Sequence, residues 1–467
     1  MNVSEVMVQY LKAAGIGHVF GYPGDPNVEF MEAARRAGMR FVLGRREGTA
    51  GLMAEAYGFL TGRPGVCMST LGPGSSNMVN AVANAWLDRV PLIAISGQIE
   101  RKREQTFTHQ VLDHNRLFSP VSKWATQVAP DTVGIVMRKA LRTAMAERPG
   151  PVHITTHADV VGAEATDVAV VLPPFKVNSR QIQVLAGDPS LADLPRRLRA
   201  ARRPVVLAGI AAQRAGAHHA LARLADTVGL PVVVAPMSKG VLAEDHAYYA
   251  GTLDMACNAF MWEFLKGCDL LLAVGFDAVE LIKPWQLSVP TVHIDAVPNT
   301  DQIYPAEVEM VGDIGAILEG IASAWQGAAK WEAGEVRRHR EALRAAYYAG
   351  RVKGRLNPTD VVDAVRAALP REAIATTDVG SHKLLVVVFC DNSLNRIELK
   401  QSNRNYPSWG TLIEPTDFAQ LAPAMGCEGA MVDSAAALQK LLAGARPKDR
   451  PLVVGAQIDP AQYATQF

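Results

Sequence analysis

The chain has 467 residues, and its 47 basic side chains almost balance its 46 acidic ones, which leaves a formal net charge of +1. This balance excludes the strong field of one sign that attracts nucleic acids or anionic membranes, so we expect neither as a partner. No apolar run approaches the roughly 18 residues that span a bilayer. The first residues have the apolar spacing of a helix rather than of a signal peptide. We therefore expect a cytoplasmic protein that binds a small molecule.

Short apolar runs alternate with helix-patterned stretches along the chain. HVF, GVCMST, PLIAIS and PVHITT occur before residue 165, and RPVVLAG, LPVVVAP, CDLLLAVG and PTVHID repeat the pattern up to about residue 325. A charged helical stretch then leads to a third unit. Such alternation predicts parallel sheets with crossover helices. We predict an α/β protein with three consecutive doubly wound, Rossmann-like domains, at 1–165, 190–325 and 355–467.

The third unit contains an abrupt junction. Residues 378–385 have the pattern of a glycine loop that enters a helix, and residues 386–390 form an apolar, β-branched run that is typical of a buried strand. No turn separates the two. Two interpretations remain open: one continuous element of a small domain, or a join where a segment between Leu385 and Val386 is missing.

Two loops that follow predicted strands are rich in glycine. FGYPGDPN contains Gly24, and STLGPGSSN contains Gly72 and Asn77. Glycine lets the backbone approach a ligand closely, and the helix after the second loop could present its N–H groups. Neither loop has the lysine of a phosphate-binding P-loop, and no strand is followed by the dinucleotide fingerprint. Each loop alone is more often a turn than a binding site.

A third loop, in GRREGTAGLMAEAYGFLTG, places a carboxylate before a run of small residues. Glu47 begins the predicted helix, and its glycines and alanines would let another backbone or a flat ligand come close. Most glutamates at a helix start only interact favourably with the helix dipole. The alternative is a carboxylate with a chemical role.

The order of these loops resembles that of thiamine-diphosphate-dependent enzymes of the acetolactate synthase type (large catalytic subunit), which are related to benzoylformate and oxalyl-CoA decarboxylases. The resemblance runs along nearly the whole chain, through VFGYPG, RREGTA, GVCMSTLGPGSSN, VPLIAISGQ, GLPVVVAPMSKGVLAEDH, VHIDAVP and TDVGSH. Each motif is short, but together they are specific. The resemblance implies pyrimidine-binding, central and diphosphate-binding domains, with thiamine diphosphate and Mg²⁺ as cofactors.

The resemblance assigns roles in the first domain. Glu47 matches the glutamate that hydrogen-bonds the aminopyrimidine ring, where a carboxylate can exchange a proton with a ring nitrogen in a dry site. Arg46 stands where relatives often have histidine, and we expect a modest effect because adjacent helix residues point apart. Gly24, Gly72 and Asn77 match positions that pack around the cofactor ring or the facing subunit.

The resemblance also implies a diphosphate and metal site in the third unit. The loop that would touch the diphosphate consists of Val379, Gly380, Ser381 and His382. Asn392 matches a Mg²⁺ ligand through its side-chain oxygen, and Leu394 would add its backbone carbonyl, since Mg²⁺ prefers oxygen ligands. In relatives, a segment with a Gly-Asp-Gly loop supplies the main Mg²⁺ ligand, and this sequence passes from Leu385 to Val386 without it.

Substrate recognition is less defined. His109 and Gln110 in TFTHQVLDH match polar residues beside the reacting carbon, where an imidazole could act as a proton donor. For His109 a surface loop histidine is the more frequent alternative. The segments VGFDAVELIKPW and GTLDMACN lack the arginine and the glycine with which acetolactate synthases hold the second keto acid and FAD. FAD is therefore in doubt, and we favour its absence.

Three functions remain open. The first is a thiamine-diphosphate-dependent lyase or transferase that decarboxylates or carboligates a 2-keto acid. The second is a non-catalytic relative that serves as a binding or assembly module, which is favoured if the Gly-Asp-Gly segment is truly absent. The third is a nucleotide-dependent oxidoreductase, whose glycine fingerprint is missing. In the family the cofactor lies between the first domain of one subunit and the third of another, which implies a homodimer or homotetramer.

Overall fold

The computed structural model describes residues 1–172, 189–254, 256–370, 373, 385–444 and 450–466. Within them the chain forms two six-stranded sheets and one three-stranded sheet, and all pairings between these strands are parallel. The predicted α/β class with three successive parallel sheets is confirmed. None of the helices in the described part of the chain is long and apolar enough to cross a membrane.

The first sheet belongs to the N-terminal part of the chain. Its strands are β1 (His18–Tyr22), β2 (Arg40–Leu43), β3 (Gly65–Ser69), β4 (Leu92–Gln98), β5 (Trp124–Gln127) and β6 (Pro151–His157). Its helices are α1 (Val3–Ala13), α2 (Val28–Arg36), α3 (Glu47–Thr61), α4 (Pro73–Leu87), α5 (His114–Phe118), α6 (Val133–Met145) and α7 (Ala158–Val161). The strand order is β2-β1-β3-β4-β6-β5.

Both faces of this sheet are buried. Val66 and Met68 on β3 point into one apolar cluster with α1 and α6, and Cys67 between them points into a second cluster with α3 and α4. The central strands are therefore uninterrupted apolar runs rather than alternating ones, as expected of a parallel sheet covered on both sides. This burial fixes the strand ends, and it is the strand ends that position the loops.

The second sheet follows the same plan. Its strands are β7 (Pro204–Ala208), β8 (Val232–Val234), β9 (Tyr249–Thr252), β10 (Leu270–Val274), β11 (Thr291–Asp295) and β12 (Val308–Val311). Its helices are α8 (Pro189–Ala200), α9 (Ile210–Arg214), α10 (His218–Val228), α11 (Asn258–Lys266) and α12 (Ile314–Ala324). The strand order is β12-β11-β10-β7-β8-β9, with apolar clusters on both faces.

The charged helix α13 (Ala333–Tyr347) leads to the third sheet. The remaining elements are α14 (Pro358–Ala368), β13 (Leu385–Cys390), α15 (Asn395–Ser402), α16 (Phe418–Ala424), β14 (Glu428–Val432), α17 (Ala435–Ala443), β15 (Leu452–Gln457) and α18 (Tyr463–Gln466). The described strand order is β13-β15-β14.

The junction noted in the sequence lies at the start of β13. Leu385 pairs with Leu452 and Cys390 with Gln457 in one unbroken register. Leu385 therefore belongs to the strand, and the prediction that it ends the preceding helical segment was wrong by one residue. The glycine loop before it, at 374–384, lies outside the described residues. β13 is only partly buried, and Phe389 on it is 41% exposed.

Candidate active site

Four loops meet at one edge of the first sheet. The adjacent strands β2, β1, β3 and β4 are parallel, so their carboxyl ends lie side by side. The loops after these strands carry Glu47, Gly24, Gly72 and Gln110 respectively. The structure thus brings together residues that are separated in the sequence by up to 86 positions.

Glu47 is the first residue of α3 and is half buried. Asn77 on α4 donates a hydrogen bond from Nδ2 to Glu47 Oε2, with 2.6 Å between the two atoms. A Cβ added to Gly74 would lie 3.1 Å from Glu47 Oε1. The Asn77 amide therefore holds Oε2 of Glu47. Gly74 has no side chain and so leaves the approach to Oε1 open.

Arg46 is closer to this pair than the sequence suggested. Its Nη2 lies 3.5 Å from Asn77 Oδ1, so Arg46 and Glu47 contact the same amide. The prediction that these neighbours point apart was wrong because Arg46 is not helical: it caps α3 with φ −152° and ψ 148°.

Gly72 provides the contact with the loop after β4. Its φ is +53° and its ψ is −113°, a conformation that disfavours residues with a side chain. A Cβ at this position would collide with the carbonyl oxygen of Gln110 and lie 2.9 Å from its Cβ. Gln110 also has a positive φ of 59°. The backbone of Gln110 thus packs on Gly72, while the side chains of Gln110 and His109 are exposed.

Gly24 is held against the end of β3. Its N–H donates to Asn27 Oδ1 at 3.1 Å, and Asn27 Nδ2 donates to the carbonyl of Ser69 at 3.1 Å. A Cβ on Gly24 would collide with Thr70. Sequence reasoning missed Asn27, Thr70 and Gly74. The glycines next to them in FGYPGDPN and STLGPGSSN were the available signal, because a glycine in a loop often marks a close approach of two backbones.

Buried hydroxyl groups form the floor beneath these loops. The Ser96 Oγ lies 2.9 Å from His153 Nε2 and 3.1 Å from Ser69 Oγ. Ser75 Oγ donates to the Thr70 carbonyl at 2.7 Å and lies 3.4 Å from Ser69 Oγ. The chain of contacts ties β6 and β4 to the loop that contains Gly72. This largely buried hydrogen-bond network helps to hold that loop in one arrangement.

Two buried histidines, His153 in this network and His114 next to it, make stability dependent on pH. Burial lowers the pKa of His114 to about 4, with the neighbouring His157 acting in the same direction, and burial also lowers the pKa of His153 well below 6.5. Both His114 nitrogens lack a hydrogen-bond partner among the described residues. A lowered pKa in the folded state means that the unfolded chain binds the proton more tightly, so stability is fully present above pH 6.5 and is lost as the pH falls toward 4.

We expect His114 alone to cost roughly 3 kcal/mol of unfolding free energy between pH 6.5 and 4. Denaturant unfolding at a series of pH values would measure this loss. His114→Leu should flatten the acid limb, whereas His219→Leu on the exposed face of α10 should leave it unchanged. Equal pH profiles for wild type and His114→Leu would contradict the assignment.

Glu55 on α3 is a second buried carboxyl group, and it is only 6% exposed. Burial raises its pKa to about 8, although Asn84 donates to Oε1 at 2.8 Å and so lowers it in part. The stability that the protonated form contributes is fully present below pH 4.5 and is lost as the pH rises through about 8. Glu55→Gln should therefore be more stable than wild type by roughly 3–5 kcal/mol at pH 9, where the upper value corresponds to the full pKa shift. The two proteins should have similar melting temperatures at pH 5. A stability difference between Glu55→Gln and wild type that is the same at pH 5 and at pH 9 would exclude this prediction, because the histidines affect both proteins equally.

The third unit holds the other predicted site residues. Asn392 is exposed and has a φ of 56°, and its carbonyl accepts the Ile413 N–H at 2.9 Å. The Leu394 carbonyl accepts N–H groups from Ile397 at 2.8 Å and Glu398 at 3.1 Å. The predicted diphosphate loop, Val379, Gly380, Ser381 and His382, lies outside the described residues. The structure therefore places Asn392 and Leu394 on a separate sheet from Glu47.

The described residues do not form a complete Mg²⁺ site. They contain no group of three or more His, Cys, Asp or Glu side chains that could hold a metal ion. Asn392 offers one side-chain oxygen, and the two N–H donors would compete with a metal for the Leu394 carbonyl. Mg²⁺ in proteins is bound by one or two carboxylates, substrate phosphates and water. The described side chains alone therefore do not fit the ion.

Comparison with protein families gives three matches in chain order. Residues 1–117 match the N-terminal TPP binding domain of thiamine pyrophosphate enzymes, residues 191–321 match their central domain, and residues 372–456 match their C-terminal TPP binding domain. Together the matches cover most of the chain, including the four loops described above.

Curated relatives agree with this family. A probable acetolactate synthase large subunit of Methanocaldococcus jannaschii is 31% identical, over 69% of this chain and 56% of the relative. A probable 2-ketoarginine decarboxylase of Pseudomonas aeruginosa is 30% identical, over 81% of this chain and 68% of the relative. A catabolic acetolactate synthase of Raoultella terrigena is 26% identical, over 98% of this chain and 95% of the relative.

This chain belongs to the thiamine pyrophosphate enzyme family and is acetolactate synthase-like. The predicted resemblance is thereby confirmed. The alignment with the Raoultella terrigena protein extends over 538 positions, more than the 467 residues of this chain. The relative therefore has residues within the aligned stretch that this chain lacks, whereas the alignment with the Methanocaldococcus jannaschii protein covers little more than half of that relative.

Proposed function

We propose that this chain is a thiamine-diphosphate-dependent lyase or transferase that acts on a small 2-keto acid by decarboxylation, carboligation or both, in the manner of acetolactate synthase. The observation that supports this most strongly is the position of Glu47. Its half-buried carboxylate begins α3 at the edge where the loops of four parallel strands converge. A carboxylate there can exchange a proton with a bound heterocycle.

The residues around Glu47 fit the pyrimidine ring of thiamine diphosphate. Asn77 holds Oε2 at 2.6 Å, and Gly74 leaves the approach to Oε1 free. Glu47 would hydrogen-bond a ring nitrogen and pass a proton to and from it, while Asn77 keeps the carboxylate oriented. Gly24 and Gly72 would let the loop backbones pack against the ring. When bound, thiamine diphosphate supplies the electron sink for the bond that breaks beside the keto carbonyl.

Gln110 and His109 are the proposed substrate contacts. Both are exposed on the loop after β4, and the Gln110 backbone rests on Gly72. The Gln110 amide would orient the substrate carboxylate or carbonyl, and the His109 imidazole would donate a proton to the reacting carbon. Their exposure in one chain is compatible with a site that a second subunit completes.

We further propose a homodimer or homotetramer in which the third unit of one chain covers the Glu47 edge of another. Large apolar side chains are exposed in both regions: Leu43 at the end of β2 and Met53 on α3, and Trp409 and Leu412 in the third unit. Trp409 is 85% exposed, which is unusual for so large an apolar side chain. In that arrangement the loop 379–382 would bind the diphosphate, and Asn392 with the Leu394 carbonyl would contribute to a Mg²⁺ site.

The relatives support a keto acid as substrate. One is named a catabolic acetolactate synthase, one a probable acetolactate synthase large subunit, and one a probable 2-ketoarginine decarboxylase. Both reactions begin with a 2-keto acid. The choice between them depends on whether a second carbonyl compound enters the site after decarboxylation.

Turnover of a panel of 2-keto acids tests the proposal. The protein would be incubated with thiamine diphosphate, Mg²⁺ and keto acids that differ in side-chain length and charge, and both CO₂ and condensation products would be measured. We expect CO₂ from at least one substrate. Binding of the cofactor without turnover of any keto acid would instead indicate a non-catalytic relative.

A further inference from the structure

The second sheet has a crevice at the point where its strand order reverses. The chain passes from β7 to β8 on one side and from β10 to β11 on the other, so the loops after β7 and β10 diverge. In open parallel sheets this crevice is the usual place for a dinucleotide. The resemblance to acetolactate synthases implies that FAD could be a cofactor of this domain. The residues that lie in the crevice therefore show whether FAD fits there.

A carboxyl group of the protein lies in the crevice. Glu280 ends the short turn Ala278–Glu280 after β10, and its Oε2 accepts the Ile210 N–H at 2.9 Å and the Asp277 N–H at 3.2 Å. A Cβ on Gly209, the first residue after β7, would collide with this oxygen and with the backbone of Phe276. Glu280 is only 5% exposed. The space in which a pyrophosphate would approach β7 is therefore occupied.

A second buried carboxylate ties the surrounding loops together. Asp254, after β9, accepts the Ile282 N–H at 2.9 Å through Oδ2 and the Trp262 indole N–H at 3.1 Å through Oδ1. The Trp262 bond holds Asp254 against α11, and the Ile282 bond joins two segments, GTLD (251–254) and the segment that follows the turn. They are the same two segments in which the arginine and glycine expected for flavin binding are missing from the sequence.

The outer side of the turn contacts the first domain. Asp277 Oδ2 lies 3.0 Å from Nε of Arg89 and 3.6 Å from Nε of Arg148. Arg148 also pairs with Asp301 at 2.7 Å. Asp277 is 3% exposed, so its charge depends on these arginines for compensation. The turn is thus packed between two domains rather than open to a ligand.

We propose that the turn Ala278–Glu280, together with the preceding residue Asp277, takes the place of a dinucleotide cofactor in the central domain and clamps this domain to the first. FAD does not fit the described residues of the crevice. Burial raises the pKa of Glu280 to about 8, so at neutral pH the group is mainly the uncharged acid, which can remain in the crevice without a counter-ion. Arg89 instead lowers the pKa of Asp277 against the effect of burial, which keeps this group ionised for the clamp.

Two measurements test the proposal, and neither requires thiamine diphosphate or turnover. The first is flavin retention: the protein would be incubated with FAD, passed through gel filtration, and its absorbance near the flavin band recorded. We expect flavin-free protein and a melting temperature that FAD does not change. One FAD per chain after filtration would overturn the claim that the turn replaces the cofactor, whatever the fate of the proposed keto acid activity.

The second measurement tests the clamp. Asp277→Ala leaves Arg89 and Arg148 without this partner, and we expect the melting temperature to fall by roughly 5 °C or more. Asp301→Ala removes an exposed partner of Arg148 and should shift it by about 1 °C or less. If Asp277→Ala does not fold, Arg89→Met, which keeps the Arg148 contact, should give an intermediate fall. The clamp would be overturned if the melting temperature fell equally little in Asp301→Ala and in the variant that is measured, either Asp277→Ala or Arg89→Met.

Discussion

Replacing Glu47 by glutamine is expected to lower turnover of the best 2-keto acid by roughly 10²–10⁴-fold, the range that loss of a positioned proton-transfer group commonly produces. Glutamine has nearly the same shape and can still accept the hydrogen bond from Asn77, which is 2.6 Å long in the wild type. It cannot exchange a proton with a ring nitrogen. The variant therefore separates the chemical role of the carboxylate from its place in the fold.

The matched control is Glu29→Gln on the exposed surface of α2, which should retain full turnover. Both variants should melt within about 1 °C of the wild type, since neither loses a buried contact. Full activity of Glu47→Gln would show that Glu47 is only a favourable residue at a helix start, the alternative left open by the sequence. A large fall in its melting temperature would make the loss of activity uninformative.

Replacing Gly72 by alanine is expected either to strain the contact with the loop that carries Gln110, which lowers stability, or to displace that loop, which raises KM. The added methyl group would meet the Gln110 carbonyl oxygen, which belongs to the backbone and cannot rotate away. The left-handed φ of +53° adds a conformational penalty. We expect a loss of about 2–4 kcal/mol in unfolding free energy and at least a tenfold rise in KM if the backbone shifts instead.

The control Gly38→Ala separates the strain of a positive φ from the collision of an added Cβ with a neighbouring atom. Gly38 also has a positive φ, of 72°, but a Cβ there meets no atom within 4 Å. This control should lose only about 1 kcal/mol and should keep its KM. If Gly72→Ala behaves like Gly38→Ala in both measurements, the contact between Gly72 and the Gln110 loop does not shape the site.

The fold could be predicted from the sequence because the parallel strands are buried on both faces. Runs such as LPVVVAP have no polar interruption, and their alternation with helix-patterned stretches is typical of a parallel sheet with helices on both sides. The same logic indicated that the loops with Gly24 and Gly72 follow strands, and ligand loops lie at the carboxyl ends of such strands.

The remaining contacts could not be predicted because they depend on how helix ends and domains meet. Arg46 shares Asn77 with Glu47 because it caps α3 in an extended conformation, which a helical spacing rule does not describe. Arg89 and Arg148 pair with Asp277, at a separation of 188 and 129 positions. No local pattern marks such a partner. Whether a segment is missing between Leu385 and Val386, which the sequence leaves open, stays open, since the loop before β13 lies outside the described residues.

Exchange of the C2 proton of thiamine diphosphate with deuterium oxide tests the central claim most directly, because it requires the cofactor and Glu47 but no substrate. NMR would follow the exchange rate of the cofactor mixed with Mg²⁺ and the protein. We predict exchange at least a hundredfold faster than for the free cofactor with wild-type protein, and a rate close to that of the free cofactor with Glu47→Gln. Exchange at the free-cofactor rate with wild-type protein would contradict the claim that this chain activates thiamine diphosphate.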